Sequence, residues 1–305
     1  APHPDAKYSR KSLLPNDAAL PELSLSRSKP SHSAKTYPFL SLFGLAFAVH
    51  CIYNRFVRCD KRKEVRNSVY QILKKQTLNA NTKLMVIDAP HVARKAEPGQ
   101  FIILRVSEDG ERIPLTIADF DRETGAVTII FQEVGATTMA LGEMNEGDCL
   151  HDFVGPLGKA SEFDGMKKVA VVGGGLGCAI AYPQAKKLHE LGCEVDLIAG
   201  FRNKDIIILE DEMKAASTNL YIVTDDGSNG HKGFVTDKLK ELIEAGNQYD
   251  AVIAIGPMIM MKFVCEVTRP YGIKTIVSMN TIMVDGTGMC GGCRLTVGGE
   301  TKFAC

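Results

Sequence analysis

Near the end of the chain, Asp285, Cys290, Cys293 and Cys305 form the pattern D-x4-C-x2-C-x11-C. Thiolates at such spacing ligate iron, and plant-type iron–sulfur loops use C-x4-C-x2-C followed by a more distant cysteine. Asp285 stands where the first of those cysteines would be, and a carboxylate oxygen is also an iron ligand. Gly286, Gly288, Gly291 and Gly292 let the loop wrap closely around a cluster. The competing reading is a zinc knuckle, or free thiols beside a glycine-rich turn. Structural zinc sites pair two C-x2-C or Cys/His elements, and only one is present here. The spacing therefore favours an iron–sulfur cluster held by Asp285, Cys290, Cys293 and Cys305.

A second constellation is VAVVGGGLGCA, with Gly173, Gly174, Gly175 and Gly177 at a strand end just ahead of a helix. Glycine there lets the backbone approach a pyrophosphate, whose charge the helix N-terminus stabilises. A strict G-x-G-x-x-G would put glycine at 178, where Cys178 stands. Any tight strand–helix turn uses glycines too, so the weight comes from their place on the first strand of a parallel sheet. An acid for an adenosine ribose is expected at the next strand end, but Asp196 lies inside that strand. The end itself reads Gly200-Phe201-Arg202-Asn203-Lys204. Arg202 would suit a 2′-phosphate, yet an arginine after a strand is more often simply solvated, so the pattern does not choose between NAD and NADP. Thr224-Asp225-Asp226-Gly227-Ser228 and Ile255-Gly256-Pro257 fall at carboxyl ends of parallel strands, where open α/β sheets bind ligands. Each taken alone is an ordinary turn.

Upstream, Arg112-Ile113-Pro114-Leu115-Thr116 places a cation and a hydroxyl on one face of a strand. Such an arginine forks onto phosphate and such a threonine meets a ring heteroatom, although an exposed strand arginine is the commoner case. Gly135-Ala136-Thr137-Thr138 at a helix start and Gly155-Pro156-Leu157-Gly158 at a junction are of the same weight. No acid–base triad is discernible, and no catalytic side chain is expected.

The elements that must position these residues are of two kinds. From residue 66, alternating segments such as VYQILKKQTLNANTKLMVIDA, GQFIILRVSE, IPLTIADF, AVTIIFQEV and DCLHDFVGP predict an antiparallel β-barrel with almost no helix. From Lys167, strands KVAVVGGG, EVDLIAGFR, NLYIVTDD, YDAVIAIGP and KTIVSMN alternate with helical stretches, which predicts a doubly wound parallel sheet. The expected division is an extension over 1–65, a barrel domain over 66–162, an α/β domain over 163–279 and a Cys-rich tail over 280–305. The extension is rich in Ser, Pro and basic residues around the uncharged run 39–53, which is shorter than the roughly 20 residues a membrane span needs. It reads as a dispensable or mis-joined segment, or as organelle targeting, ahead of a membrane anchor.

Lys+Arg and Asp+Glu both number 36 in 305 residues, so no basic surface for nucleic acid is expected. Nine cysteines, an odd count scattered mostly singly, do not form a secreted disulfide framework and suit a cytoplasmic, reducing compartment.

With these residues assembled, positions 69–305 resemble the small, alpha subunits of the NADH-dependent reduced ferredoxin–NADP oxidoreductase (sulfide dehydrogenase) family. These are relatives of the electron-transfer subunit of dihydroorotate dehydrogenase. The matching stretches are GERIPLTIADFD, FQEVGATT, GPLGK, VVGGGLGCA, GFRNKD, TDDGS and VDGTGMCGGCR. The resemblance implies a ferredoxin-reductase-like fold that binds FAD, NAD(P)H and a [2Fe–2S] cluster. It implies that Arg112, Pro114, Leu115 and Thr116 form the flavin motif, with Arg112 toward phosphate and Thr116 toward the isoalloxazine edge. Gly135, Thr137 and Thr138 would form a second FAD loop, and Gly173 to Gly177, Arg202 and Asp226 the nicotinamide-nucleotide half. It implies a large flavin and iron–sulfur partner subunit, through which ferredoxin would be met. Asp285 in place of a cysteine favours the ferredoxin–NADP branch; the alternatives are the dihydroorotate branch and a zinc-stabilised nucleotide-binding module without redox activity. Residues 1–65 have no counterpart in the resemblance, and the family pattern runs past its last cysteine, so truncation after Cys305 is expected.

Overall fold

The computed structural model describes residues 70–305. The expectations for residues 1–65, the run 39–53 among them, lie outside the described residues. Strands β1 (Tyr70–Asn79), β2 (Thr82–Asp88), β3 (Phe101–Arg105), β4 (Ile113–Asp121), β5 (Ala126–Gln132), β6 (Cys149–Leu150) and β7 (Asp152–Leu157) form a seven-stranded sheet in the order β6-β1-β2-β5-β4-β3-β7. All its pairings are antiparallel, and the sheet curls into a nearly closed barrel. Two short helices interrupt it, α1 (Pro90–Ala93) and α2 (Ala136–Glu143).

Period-two patterning decides which side chains fill the barrel. Val127, Ile129 and Phe131 of β5 point inward to join Met85, Ile87, Ile102, Leu104 and Phe153. Ile130, between them, faces the other way and belongs to a different core. Strand β4 pairs with β3 over residues 113–116 and with β5 over 117–121. Pro114 therefore lies where the strand has one neighbour, and its missing N–H breaks no ladder.

The second sheet is parallel: β8 (Lys168–Gly174), β9 (Glu194–Phe201), β10 (Asn219–Thr224), β11 (Ala251–Ile255) and β12 (Lys274–Val277) in the order β10-β9-β8-β11-β12. Helices α3 (Gly177–Glu190), α4 (Glu210–Ala215), α5 (Val235–Glu244) and α6 (Met258–Thr268) provide the crossovers. Burial on both faces explains the near-continuous apolar runs. Val169 and Val171 pack with Ala181, Ala185 and Leu188 of α3 on one face. On the other, Ala170 and Val172 meet Leu239 of α5 and Val264 of α6. Ala118 and Ile130 of the barrel sit in the α3-side cluster, so the two sheets share a core. Strand order reverses between β8 and β11, the switch point at which open α/β sheets form a crevice.

The tail, expected as a loop, also contains a hairpin, β13 (Arg294–Val297) and β14 (Glu300–Phe303), around Gly298-Gly299. No described helix is long and apolar enough to cross a membrane.

Candidate functional site

The glycine loop lies at the switch point. A Cβ on Gly177 would lie 2.3 Å from the Ile255 carbonyl oxygen, and one on Gly256 would lie 3.1 Å from the Gly174 nitrogen. These glycines let the start of α3 and the end of β11 meet backbone to backbone. A Cβ on Gly175 would meet nothing within 4 Å, and no side chain caps the amino end of α3, which leaves room there for a phosphate. Cys178, in place of the last glycine of the fingerprint, is fully buried, and burial pushes its thiol up to about 12. It packs as a small core residue against Gly173.

Across the crevice rim, Asp225 N–H donates to the Phe201 carbonyl at 3.0 Å and Asp226 N–H to the Arg202 carbonyl at 3.3 Å. This ties the ends of β9 and β10 together and brings Arg202 and Asp226 side by side. Asp226 accepts from Ser228 N–H at 2.9 Å. Its carboxyl is held below the usual range by the Ser228 hydroxyl first and that N–H second. Asp196 is elsewhere: it is buried inside β9, bonded to Tyr249 Oη at 2.6 Å and Asn219 Nδ2 at 2.7 Å. It braces the sheet and offers nothing to a ribose.

The two barrel motifs also meet. Thr137 Oγ1 donates to Glu111 Oε2 at 3.2 Å, joining the start of α2 to the residue before Arg112. Thr138 Oγ1 accepts from Gly135 N–H at 3.0 Å and from Val134 N–H at 3.1 Å. Arg112, the exposed residue that follows Glu111 in the chain, and the amino end of α2 are each of a phosphate-binding type. Pro114, Leu115 and Thr116 follow on β4, with Thr116 opposite Phe101 and Pro114 opposite Ile103.

The cysteine loop is seated on this same corner. A Cβ on Gly286, which has φ +73°, would lie 2.9 Å from Ile103 Cδ1, 3.0 Å from Leu157 Cδ1 and 3.2 Å from Phe101 Cε2. Only glycine permits the contact, in both conformation and space. The loop thus rests on the strand that pairs with Pro114 and Thr116. The Cys293 and Cys305 sulfurs lie 3.1 Å apart. Cys305 N–H donates to Cys293 Sγ, and Gly292 N–H to Cys290 Sγ, each at 3.4 Å. The Cys305 N–H and then the Cys305 thiol lower the Cys293 pKa, while hydrogen bonding to Cys293 raises that of Cys305. N–H groups aimed at sulfur are the surroundings a ligating thiolate needs, so the donor chemistry fits an iron–sulfur group. Asp285, however, is turned into its own loop, accepting from Thr287 N–H and Cys290 N–H at 2.9 Å each. Among the described residues no three His, Cys, Asp or Glu side chains converge as a metal cage. The structure pairs two of the four expected ligands and leaves Cys290 exposed.

Sequence reasoning missed the space between the two sheets. A cavity of about 180 Å³ is lined by Thr116, Ser161, Ile180, Gln184, Ile255 and Ser278. The available signal was a polar residue at the i+4 position between Ile180 and Leu188 on the apolar face of α3.

A nearly closed antiparallel barrel joined to a parallel sheet with its glycine loop at the switch point is the ferredoxin-reductase-like FAD/NAD-binding fold of oxidoreductases. Residues 171–266 match the oxidoreductase NAD-binding domain family. An uncharacterized Clostridium beijerinckii protein in the adh 3′ region is 56% identical over 245 residues, covering 78% of this chain and 83% of that protein. The Thermotoga maritima homologue of the dihydroorotate dehydrogenase B (NAD(+)) electron-transfer subunit is 46% identical, covering 77% of this chain and 83% of its own length. A chain from the NADH-dependent reduced ferredoxin–NADP oxidoreductase structure, a study of flavin-based electron bifurcation, superposes with a TM-score of 0.74. It is 43% identical and covers 78% of this chain and 86% of that one. The chain belongs to the family of dihydroorotate dehydrogenase B electron-transfer subunits and their homologues.

Proposed function

We propose that the protein is a flavin and iron–sulfur electron-transfer subunit of the ferredoxin–NADP oxidoreductase type, exchanging electrons between NAD(P)H and a large partner subunit. The observation that carries this reading is the seat of Gly286 on Phe101, Ile103 and Leu157, which sets the cysteine loop against the strand that faces Thr116. When bound, FAD and a [2Fe–2S] cluster supply the conversion of two-electron hydride chemistry into single-electron steps.

The chain's own residues bind and orient. Arg112, with Gly135, Thr137 and Thr138, would hold the FAD phosphates by charge and by N–H donors at the start of α2. Pro114, Leu115 and Thr116 would flank the ring. Gly173, Gly174, Gly175 and Gly177 would admit the dinucleotide's pyrophosphate, and Arg202 and Asp226 would meet its adenosine side. Asp285, Cys290, Cys293 and Cys305 would hold the cluster. In this reading no side chain need shuttle a proton to a reacting carbon, and residues 66–162 serve the flavin, 163–279 the dinucleotide and 280–305 the cluster.

Purified protein tests it. Absorption near ~450 nm with broader iron–sulfur bands, and bleaching on addition of NADH, are expected. A colourless protein with one zinc per chain would sink the reading. The relatives that serve dihydroorotate dehydrogenase B supply a second partner, and the large subunit that co-purifies decides between the two.

A further inference from the structure

Gln184 lies in the interior of α3 and is 4% exposed. Its Oε1 is buried without a hydrogen-bond partner, the one such side-chain atom among the described residues. Proteins seldom keep a buried acceptor unmet, so this one calls for an explanation, and a donor from outside the chain is one that the surrounding cavity permits. The surroundings say what partner. Gln184 lines the cavity of about 180 Å³ between the sheets. That is smaller than the ~300–1,000 Å³ of pockets that take a whole drug-sized ligand, and it suits a single substituted ring. Ile180, Ile253 and Ile255 give it aliphatic walls, which favour a flat apolar body, while Thr116, Ser161, Glu162 and Ser278 add polar lining. The cavity reaches from the strand carrying Thr116 to the end of β11, where Ile255 backs the glycine loop. A flat ring with an N–H to offer completes the site.

We propose that Gln184 Oε1 accepts a hydrogen bond from the amide N–H of a planar ring seated in this cavity, which makes Gln184 a positioning residue for electron exchange between the nucleotide and the flavin. The inference rests on the function proposed above. Two groups carry that chemistry, the carboxamide of a nicotinamide and the imide edge of a flavin.

The test uses the full chain with its flavin. NAD⁺ is compared with 3-acetylpyridine adenine dinucleotide, which keeps the ring and the carbonyl but has a methyl where the amide nitrogen was. Binding of each is titrated to wild type and to Gln184→Leu, which keeps bulk and removes the acceptor. If the nicotinamide is the donor, wild type favours NAD⁺ by about ten-fold, the size of one buried neutral hydrogen bond. Gln184→Leu then abolishes that preference while the flavin spectrum and Tm stay as they were. If the flavin is the donor, the preference is unchanged by the substitution, and flavin dissociation rises by a similar factor with a shifted flavin midpoint potential. Unchanged nucleotide preference together with unchanged flavin affinity and potential overturns the assignment, leaving Gln184 as packing. Should Gln184→Leu not fold, Gln184→Met carries the same comparison. A wild-type chain that binds neither flavin nor nucleotide defeats the underlying reading and the inference with it, and is distinct from the outcome in which both bind normally and Gln184 has no effect.

Discussion

At the scale of single residues, Asp285 shows how one carboxylate can be claimed twice. Its oxygens accept from Thr287 and Cys290 N–H, and the Thr287 N–H above all holds the carboxyl below the usual range. If Asp285 is the cluster ligand proposed above, it would have to exchange at least one of these N–H partners for iron. Asp285→Ala removes the loop hydrogen bonds and the proposed ligand together, whereas Asp285→Cys supplies a ligand of the four-cysteine type. Iron content per chain is expected to fall at least ~10-fold at limiting iron in the alanine variant, as loss of a group supporting a metal site does. It should recover in the cysteine variant, with the flavin-to-protein ratio constant in both. Equal iron in wild type and Asp285→Ala would remove Asp285 from the ligand set. Arg112, Thr116 and Thr137 were legible as candidates because their motifs pair residue type with a strand end or helix start. That Thr137 reaches Glu111 was not legible, since it depends on how α2 closes the barrel. Gln184 carries no signal of its own in the sequence, because its significance lies in what fails to touch it.

At the scale of elements, the periodicities carried nearly the whole fold. All five parallel strands were legible as apolar runs ending in glycine or polar punctuation, since strands buried on both faces need such runs. Pro183 inside α3 would ordinarily argue for a break. The helix continues because Ala179, Ala181, Ala185 and Leu188 bury its inner face, and that burial outweighs one lost hydrogen bond. The β13–β14 hairpin was missed although Gly298-Gly299 is a two-residue hairpin signal, because its flanking strands are exposed and lack an apolar face. The start of β8 depends on a residue 82 positions away: Asp250 Oδ2 accepts from Lys167 N–H at 2.7 Å and from Lys168 N–H at 2.9 Å. Those two donors, Lys168 N–H foremost, lower the Asp250 pKa in the folded state. A carboxyl whose folded pKa is depressed stabilises the fold fully above its unfolded value, and the contribution fades as pH falls through the folded one. Asp250→Asn should therefore lower Tm at pH 7. The difference from wild type should shrink as pH drops below ~4, the unfolded carboxyl value. A Tm gap that stays constant from neutral to acid pH would show that the ionised form is not what secures β8.

At the scale of the whole described molecule, the barrel and the parallel sheet are joined by more than their shared core. Lys186 of α3 reaches Asp119 of β4 with both carboxylate oxygens at 2.8 and 2.9 Å, and Tyr182 Oη stands 3.4 Å from the same carboxylate. Burial pulls the Lys186 ammonium down, but Asp119 more than offsets it and the pKa ends raised. The two side chains are 37% and 33% exposed, so water screens the pair and its worth is that of a surface bridge, about 0.5–1 kcal/mol. Its position makes it matter more than its energy. Asp119 lies on the strand that presents Thr116, and Lys186 lies on the helix that begins at Gly177 and carries Gln184. The bridge therefore links the strand proposed to face the flavin to the helix proposed to receive the nucleotide. In a double-mutant cycle of Asp119→Asn and Lys186→Met, the coupling in unfolding free energy should be no more than about 1 kcal/mol. The rate at which NADH reduces the flavin, followed by stopped flow, should fall by more than that coupling alone accounts for, because hydride transfer is sensitive to ring alignment on the ångström scale. The double variant should be no slower than the worse single one, since either substitution already breaks the link. Flavin reduction at the wild-type rate in Lys186→Met would show that the shared core of Ala118 and Ile130 against α3 holds the two sheets in register unaided.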